Sequence, residues 1–224
     1  MEFKEKYELI FTAAIGGAYL LLFVLGEWIY RRFKVKGENT RKMVHVLGGG
    51  IALLCPVLIG DHRLIFLLCI LFVVILIVSK KIKQLSSIHD IGRSSAGSYL
   101  FPIAVYFCFY IFTLTNNYLY FYLPVIVLAV SDPFAAYIGK KYPLGKYNFF
   151  DQGKTISGSL AFFVSAFISC CFLITVLTSA SIINSIALAA SVALYCAILE
   201  GMSTGGFDNL TIPLGAVAML WLLH

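Results

Sequence analysis

The sequence predicts an all-α, polytopic integral membrane protein with about eight transmembrane helices. The chain of 224 residues is 60% hydrophobic and only 12% charged, and its mean hydropathy is +0.91. Its apolar runs approach the roughly 20 residues that one helix needs to cross a bilayer. Charged residues cluster between these runs rather than within them. We therefore expect a single transmembrane domain that covers residues 1–224.

Eight apolar segments define the predicted spans: 8–30, 43–60, 63–79, 97–114, 119–138, 157–177, 181–200 and 208–223. A signal peptide would have a shorter apolar region and a small-residue cleavage site, so we interpret the first segment as a retained span. Pro56, Pro102 and Pro124 lie inside spans, where proline bends a helix and frees backbone carbonyls.

Basic residues are concentrated in the odd-numbered connections between spans. Of the 17 lysines and arginines, six lie in 31–42, four in 80–96 and four in 139–156. Positively charged loops stay on the cytoplasmic side, so we expect these connections in the cytoplasm and both termini outside. The same distribution accounts for the net charge of +6. We therefore do not expect a nucleic-acid partner.

Two other local patterns have structural interpretations. The six cysteines all lie in apolar stretches, without a CxxC pair or a histidine at ligand spacing, so we expect neither disulfides nor a zinc site. Glu27 and Arg31 are four residues apart and are spaced for an ion pair within the first helix.

An acidic residue inside the fifth span is the first candidate for function. Asp132 lies in SDPFAAYIG, and a buried carboxylate at membrane depth is costly and usually functional. It is a candidate ligand of a magnesium ion that bridges phosphates. The alternative is a capping aspartate, because Pro133 disfavours helix at Asp132 and can begin a new helical segment.

A second acidic pair occurs in LEGMSTGGFDNLTIPLG. Glu200 ends one apolar run and Asp208 begins the next, across a Ser-Thr-Gly-Gly turn. Carboxylates from different helices suit magnesium that keeps waters and substrate phosphates as its other ligands. The alternative is a solvated Glu200 and an Asp208 that caps the last helix. For Asp208 alone we favour capping, whereas its location on the same side as Asp132 and Glu200 favours a shared site.

The loop before the sixth span contains GKTISGS. Lys154 is a candidate phosphate ligand, with Thr155 and the backbone near Gly158 as hydrogen-bond donors. QGKT resembles the end of a Walker A loop, but that motif requires a glycine at Asn148 and a preceding strand. We therefore reject a P-loop fold. The alternative for Lys154 is a surface lysine that only sets topology.

A basic group begins the second span in the sequence RKMVH. Arg41 and His45 share a helix face with Lys42 beside them, and His45 is placed to titrate near neutrality. The glycines at 48–50 allow neighbouring helices to approach closely. Taken alone, the motif is better explained as a membrane anchor with an interfacial histidine. Arg93, in IGRSSAG, is a weaker candidate for a phosphate or headgroup contact.

Together these motifs resemble the CTP-dependent lipid-alcohol kinases, which comprise the dolichol, phytol and yeast-type diacylglycerol kinases. A more distant resemblance is to the phosphatidate cytidylyltransferases. RKMVH, then DPFAAYIG with GKTISGS, then E…DNLTIPL occur in this order between about Arg41 and Leu214. The resemblance implies a catalytic domain that transfers the γ-phosphate of CTP to a membrane-embedded alcohol, with Mg²⁺ as cofactor.

The resemblance also implies roles for individual residues. The expected acidic and metal-binding group is Asp132, Glu200 and Asp208, and one of these acids or His45 would accept the hydroxyl proton. The expected nucleotide-binding residues are Lys154, Thr155, Gly158, Ser159, Gly139, Arg41, Lys42 and Asn209. Some phytol-kinase-like relatives carry a second acid where this chain has Ala135 and Ala136, so the resemblance does not extend to a two-metal arrangement on that helix.

Two other functions are compatible with the sequence. A cytidylyltransferase would use the same site for attack of a lipid phosphate on the α-phosphorus of CTP, with release of pyrophosphate. The longer acidic and histidine-bearing C-terminal signature of those enzymes is absent from this sequence, which favours the kinase. A small transporter would line an ion path with intramembrane acids. Against it, the sequence has no internal repeat, and its acids cluster on one side.

Overall fold

The structure, a computed structural model, describes residues 2–91, 95–147 and 153–223, and this part of the chain is almost entirely helical. Its α-helices are α1 (Glu2–Phe33), α2 (Gly37–Ala52), α3 (Cys55–Leu58), α4 (His62–Lys81), α5 (Ser86–His89), α6 (Gly97–Thr115), α7 (Leu119–Ile126), α8 (Asp132–Lys141), α9 (Ile156–Leu177), α10 (Ile182–Met202) and α11 (Asp208–Leu223). A π-helical segment, Val127–Ser131, joins α7 to α8.

Each predicted span coincides with one helical segment, and the all-α membrane fold is confirmed. Among the described residues, seven segments are long and apolar enough to cross a membrane. The eighth, α11, has 16 residues. At 1.5 Å per residue it is about 24 Å long, against a hydrocarbon core of about 30 Å. Large apolar side chains such as Leu21, Ile183 and Leu222 point outward at 71%, 74% and 75% exposure, as a lipid-facing surface requires.

Prolines mark two breaks in these spans, as the sequence indicates. The second span stops at Ala52 and restarts as α3, with Pro56 in the first turn of the new helix. The fifth span contains Pro124 and changes to the π-helical segment three residues later. The alternative interpretation of Asp132, as a helix N-cap, is wrong, because the N-cap of α8 is Ser131. Asp132 has helical dihedral angles (φ −64°, ψ −50°), because the π-helical segment absorbs the irregularity and the chain stays helical through Pro133.

Hydrogen bonds gather the odd-numbered connections at one end of the bundle. The Tyr30 hydroxyl donates to Asp90 over 2.6 Å and the Thr40 hydroxyl donates to the Ser87 carbonyl over 2.7 Å, which joins the first two connections. The Ala96 amide donates to the Gly205 carbonyl over 2.8 Å, which joins the second to the last. We call this the connection end. Its location in the cytoplasm, and that of both termini outside, stay predictions.

A two-stranded hairpin in the loop between α8 and α9 is absent from the sequence-based prediction. Its strands, β1 (Lys146–Tyr147) and β2 (Lys154–Thr155), pair antiparallel with Tyr147 opposite Lys154. Strands of two residues carry no hydrophobic alternation that a sequence pattern could reveal. The hairpin holds Lys154 directly before α9, so it positions one of the candidate site residues.

Two of the predicted local interactions are present. Arg31 Nε donates to Glu27 Oε1 over 2.7 Å within α1. Gly48 and Gly49 are buried on α2, where an added Cβ would lie 3.2 Å from the Tyr19 ring and in collision with Ala129. Gly50 differs from them, because nothing lies within 4 Å of its Cβ position. The six cysteines are free thiols, and four of them are buried.

Candidate active site

A polar cavity of about 410 Å³ opens at the connection end of the bundle. Its lining comes from the start of α2, from α8, from β2 with the start of α9, and from the α10–α11 turn. All of the predicted site residues line it: Arg41, Lys42, His45, Asp132, Gly139, Lys154, Thr155, Gly158, Ser159, Glu200, Asp208 and Asn209. The structure therefore brings together residues that are up to 168 positions apart, from Arg41 to Asn209. Their individual roles stay predictions.

Lys154 and Glu200 form an ion pair across this cavity. Lys154 Nζ donates to Glu200 Oε1, and the two side chains are only 21% and 6% exposed. Burial by itself lowers the pKa of Lys154. The negative charge and the hydrogen bond of Glu200 act in the opposite direction, as do the charges of Asp208 and Asp132. These effects outweigh burial, so the pKa of Lys154 is raised above its usual value. Lys154 is therefore a fixed cation, held at the cavity wall by Glu200.

The pairing of Glu200 changes the expected metal site. Within the described ranges, no group of three or more His, Cys, Asp and Glu side chains is arranged to hold a metal ion. Glu200 is thus paired with a cation in this structure, and its role as a third metal ligand beside Asp132 and Asp208 stays a prediction. Glu200 is held by Lys154 and by the Ser159 hydroxyl, which lies 3.5 Å from Glu200 Oε2.

The two aspartates remain suitable for magnesium. In the part of the chain that the structure describes, the Asp132 carboxylate makes no hydrogen bond or ion pair, although it lines the cavity. Asp208 accepts a hydrogen bond from the Asn209 amide over 3.0 Å and lies close enough to Asp132 for their charges to repel. Magnesium is usually held by one or two carboxylates together with substrate phosphates and water. This donor set fits that pattern.

The basic residues of α2 lie on the opposite wall. Lys42 and Arg41 both act electrostatically on Asp132. Arg41 is 3.4 Å from Glu38 Oε1, while its Nε–H is buried without an acceptor among the described residues. His45 Nε2 lies 3.3 Å from the Leu128 carbonyl, which can only accept. The imidazole therefore donates through Nε2, and Nδ1 is the nitrogen that can accept a proton.

Three residues expected to bind phosphate also make structural contacts. The Gly158 amide donates to Thr155 Oγ1 over 3.1 Å, so Thr155 is the N-cap of α9 and this amide is not directed at a ligand. An added Cβ at Gly139 would lie 2.7 Å from Thr155 Oγ1 and 3.4 Å from the Gly158 Cα. Gly139 and Gly158 therefore lie at a close contact between α8 and α9.

Asn209 and Ser159 hold the cavity walls together. Asn209 is buried, and its side-chain amide donates to the Gly97 carbonyl over 2.7 Å, which ties α11 to α6. Ser159 Oγ shares a hydrogen bond of 2.5 Å with the Tyr147 hydroxyl, which ties α9 to the hairpin. Both residues line the cavity, as the sequence analysis expects.

Several residues of this region were not predicted from the sequence, among them Tyr147, Glu38 and Lys140. Tyr147 reaches the site only through the hairpin, which has no sequence signal. Glu38 lines the cavity beside Arg41, and its spacing three residues before Arg41 is a signal that could have identified it. Arg93, the weaker candidate, lies outside the described residues.

Comparisons with known proteins agree with the resemblance in the sequence motifs. No protein-family model matches the chain, and no solved structure matches it. The chain is 26% identical over 220 residues to a phytol kinase of Synechocystis sp., and the match covers 94% of this chain and 90% of that protein. The match extends over nearly the whole length of both proteins, so the chain is similar in sequence to that phytol kinase from end to end.

Proposed function

We propose that this protein is a CTP-dependent kinase that phosphorylates a membrane-embedded lipid alcohol at the cytoplasmic face. The acceptor classes are polyprenol or dolichol, phytol and diacylglycerol. The observation that carries the proposal is the convergence of Asp132 and Asp208 with four cationic side chains in one cavity at the end of a transmembrane bundle. The similarity to a phytol kinase over 94% of the chain supports the same reaction class.

The cavity has the size and charge that a nucleoside triphosphate requires. Small-molecule sites typically occupy about 300–1,000 Å³, and this cavity measures about 410 Å³. Lys154 uses one of its three N–H donors for Glu200 and retains two for phosphate oxygens. Arg41 and Lys42 face it from α2 and would neutralise further phosphate charge. Phosphoryl transfer depends mainly on such positioning and neutralisation.

In the proposed reaction, the alcohol oxygen attacks the γ-phosphorus of CTP. A new P–O bond forms to the alcohol, the bond from the γ-phosphorus to its bridging oxygen breaks, and CDP leaves with that electron pair. The hydroxyl proton passes to Nδ1 of His45 or to one of the acids. Asp132 and Asp208 would hold magnesium, which when bound supplies positive charge to the phosphates.

The test is a product assay with purified protein in lipid nanodiscs. CTP labelled at the γ- or the α-phosphate is incubated with magnesium and each alcohol class in turn. The proposal predicts transfer of the γ-label to the lipid and formation of CDP. Release of pyrophosphate with a CDP-lipid product would identify a cytidylyltransferase instead. CTP that stays intact with every acceptor, while the protein transports a solute, would identify the transporter.

A further inference from the structure

A second cavity, almost entirely apolar, adjoins the polar one. It lies among α1, α2, α4 and α6, and we call it the apolar groove. Arg41, His45 and Asn209 line both cavities, so the groove is continuous with the candidate active site at these three residues. Arg41 is the only charged residue that lines the groove among the described residues, and it lies at this junction.

We infer that the apolar groove binds the hydrocarbon chain of the acceptor alcohol and delivers its hydroxyl to the junction. This inference rests on the proposed function for the identity of the hydroxyl group. We further infer that the acceptor has a single long hydrocarbon chain rather than two chains.

The lining of the groove favours hydrocarbon. Phe23, Leu68, Phe72 and Val105 form part of its wall. Its tyrosine, Tyr19, donates its hydroxyl to the Gly48 carbonyl over 2.6 Å and so presents only its ring to the groove. A hydrocarbon chain can therefore fill the groove without leaving that hydroxyl unpaired.

The dimensions of the groove favour one chain. On α4 the lining extends from Leu76, near the connection end, to Ile65, near the opposite end. That separation of eleven residues corresponds to about 16 Å along a helix. The free volume is only about 80 Å³, against about 410 Å³ in the polar cavity. So small a free volume has room for one chain at most, whereas a diacylglycerol would need room for two.

The junction is equipped for a hydroxyl group. The buried Nε–H of Arg41 has no acceptor in the described part of the structure and can donate to an alcohol oxygen. His45 lies on the same helix face, one turn away, with Nδ1 able to take the hydroxyl proton. An alcohol seated here has its oxygen at the polar cavity, where the γ-phosphate is proposed to lie.

A photochemical experiment tests the groove without requiring turnover. The probe is a single-chain isoprenoid alcohol that carries a diazirine at the end remote from its hydroxyl. It is irradiated with the unaltered protein in nanodiscs, and the labelled residues are mapped by mass spectrometry.

We expect labels near Cys55, Ile65 and Cys69, at the far end of the groove. We also expect an unlabelled long-chain alcohol to compete and dioleoylglycerol to compete at least tenfold less. Labels confined to the outer surfaces of α9 and α10, or equal competition by dioleoylglycerol, would overturn the inference.

A pair of matched variants tests the same groove through activity. Cys69→Phe adds bulk at its far end, while Cys171→Phe makes the same change at another partly buried cysteine that packs on the core outside the groove. Cys69→Phe should reduce kcat/KM for long alcohols by about tenfold or more relative to short ones, and leave the KM for CTP unchanged. The inference would be overturned if the ratio of kcat/KM for long alcohols to kcat/KM for short alcohols were the same in both variants. If the probe labels the groove but no alcohol is phosphorylated, the proposed function fails and the groove stands.

Discussion

At the residue scale, Asp132 and Asp208 are the side chains whose removal is expected to affect chemistry most directly. Both line the polar cavity, and Asp132 has no internal partner among the described residues. Asp132→Asn or Asp208→Asn should lower kcat by about 10²–10³-fold, because loss of one electrostatically stabilising group costs that much in other enzymes. The measurement is γ-phosphate transfer, with thermal unfolding recorded for each variant.

Asp61→Asn is the matched control for these substitutions. Asp61 caps α4 at the opposite end of the bundle by accepting from the Arg63 amide over 2.8 Å, and asparagine caps equally well. The control should keep full activity. Full activity in Asp132→Asn or Asp208→Asn would remove that residue from the site.

The Lys154–Glu200 pair leads to a different prediction, because Glu200 forms an ion pair with Lys154. Removing either partner leaves a buried charge, whereas removing both does not. In a double-mutant cycle with Lys154→Met and Glu200→Gln, unfolding free energies should therefore be non-additive by about 0.5–3 kcal/mol. Glu200→Gln should raise the KM for CTP more than it lowers kcat. Additive stabilities would contradict the pairing, and a collapse of kcat at unchanged KM would restore Glu200 to the metal site.

The same pair predicts how stability responds to pH. The pKa of Lys154 is raised in the folded state, since Glu200 and the two aspartates outweigh the effect of burial. A raised folded pKa stabilises the protein below the unfolded pKa, and this contribution is lost as the pH rises through the folded value. The pair should therefore stabilise the protein throughout neutral pH and weaken only in alkali. The unfolding free energies of the wild type and of the double variant should therefore converge only at pH values above 10.5, the ordinary pKa of lysine.

At the scale of elements, the contact between α8 and α9 depends on small residues. An added Cβ at Gly158 would lie 3.0 Å from Thr155 Oγ1 and 3.1 Å from the Ala135 carbonyl oxygen. Alanine favours helix by about 1 kcal/mol over glycine, so Gly158→Ala should stabilise unless packing opposes it. We expect the steric conflict at this position to outweigh the gain in helix propensity, so Gly158→Ala should have a lower Tm and reduced activity. Gly50→Ala, where nothing lies within 4 Å, should keep or raise the Tm. Equal Tm changes in both variants would contradict the close contact.

The elements also show which parts of this protein a sequence can predict. The spans follow from hydrophobicity alone, and the convergence of Arg41, Asp132 and Asp208 follows from placing the basic connections at one end. The π-helical segment before Asp132 was not predicted, because its apolar residues, VLAVS, do not distinguish it from the α-helix that precedes it. Gly139 and Gly158 carry the composition of an anion-binding loop, yet they serve helix packing. Composition restricts the possible roles of such glycines, whereas only tertiary contacts distinguish between them.

At the scale of the whole molecule, the orientation in the membrane determines which compartment supplies the nucleotide. Fourteen of the 17 basic residues lie in the connections at the end that holds the polar cavity. Because positively charged loops stay in the cytoplasm, we expect this end of the bundle to face the cytoplasm. The even-numbered connections lie at the other end, where Asn117 and Ser179 line a common surface pocket.

An epitope tag can report this orientation without disturbing either cavity. A tag inserted after Lys83, in an exposed turn of the connection end, should bind antibody only after permeabilisation of intact cells. A tag inserted after Ser179, in the exposed α9–α10 connection, should bind antibody without permeabilisation. Phosphotransfer activity in each tagged protein verifies that the fold is intact. The reverse accessibility would place the cavity on the outer face, away from cytoplasmic CTP, and so would exclude a cytoplasmic kinase while leaving the geometry of the site unchanged.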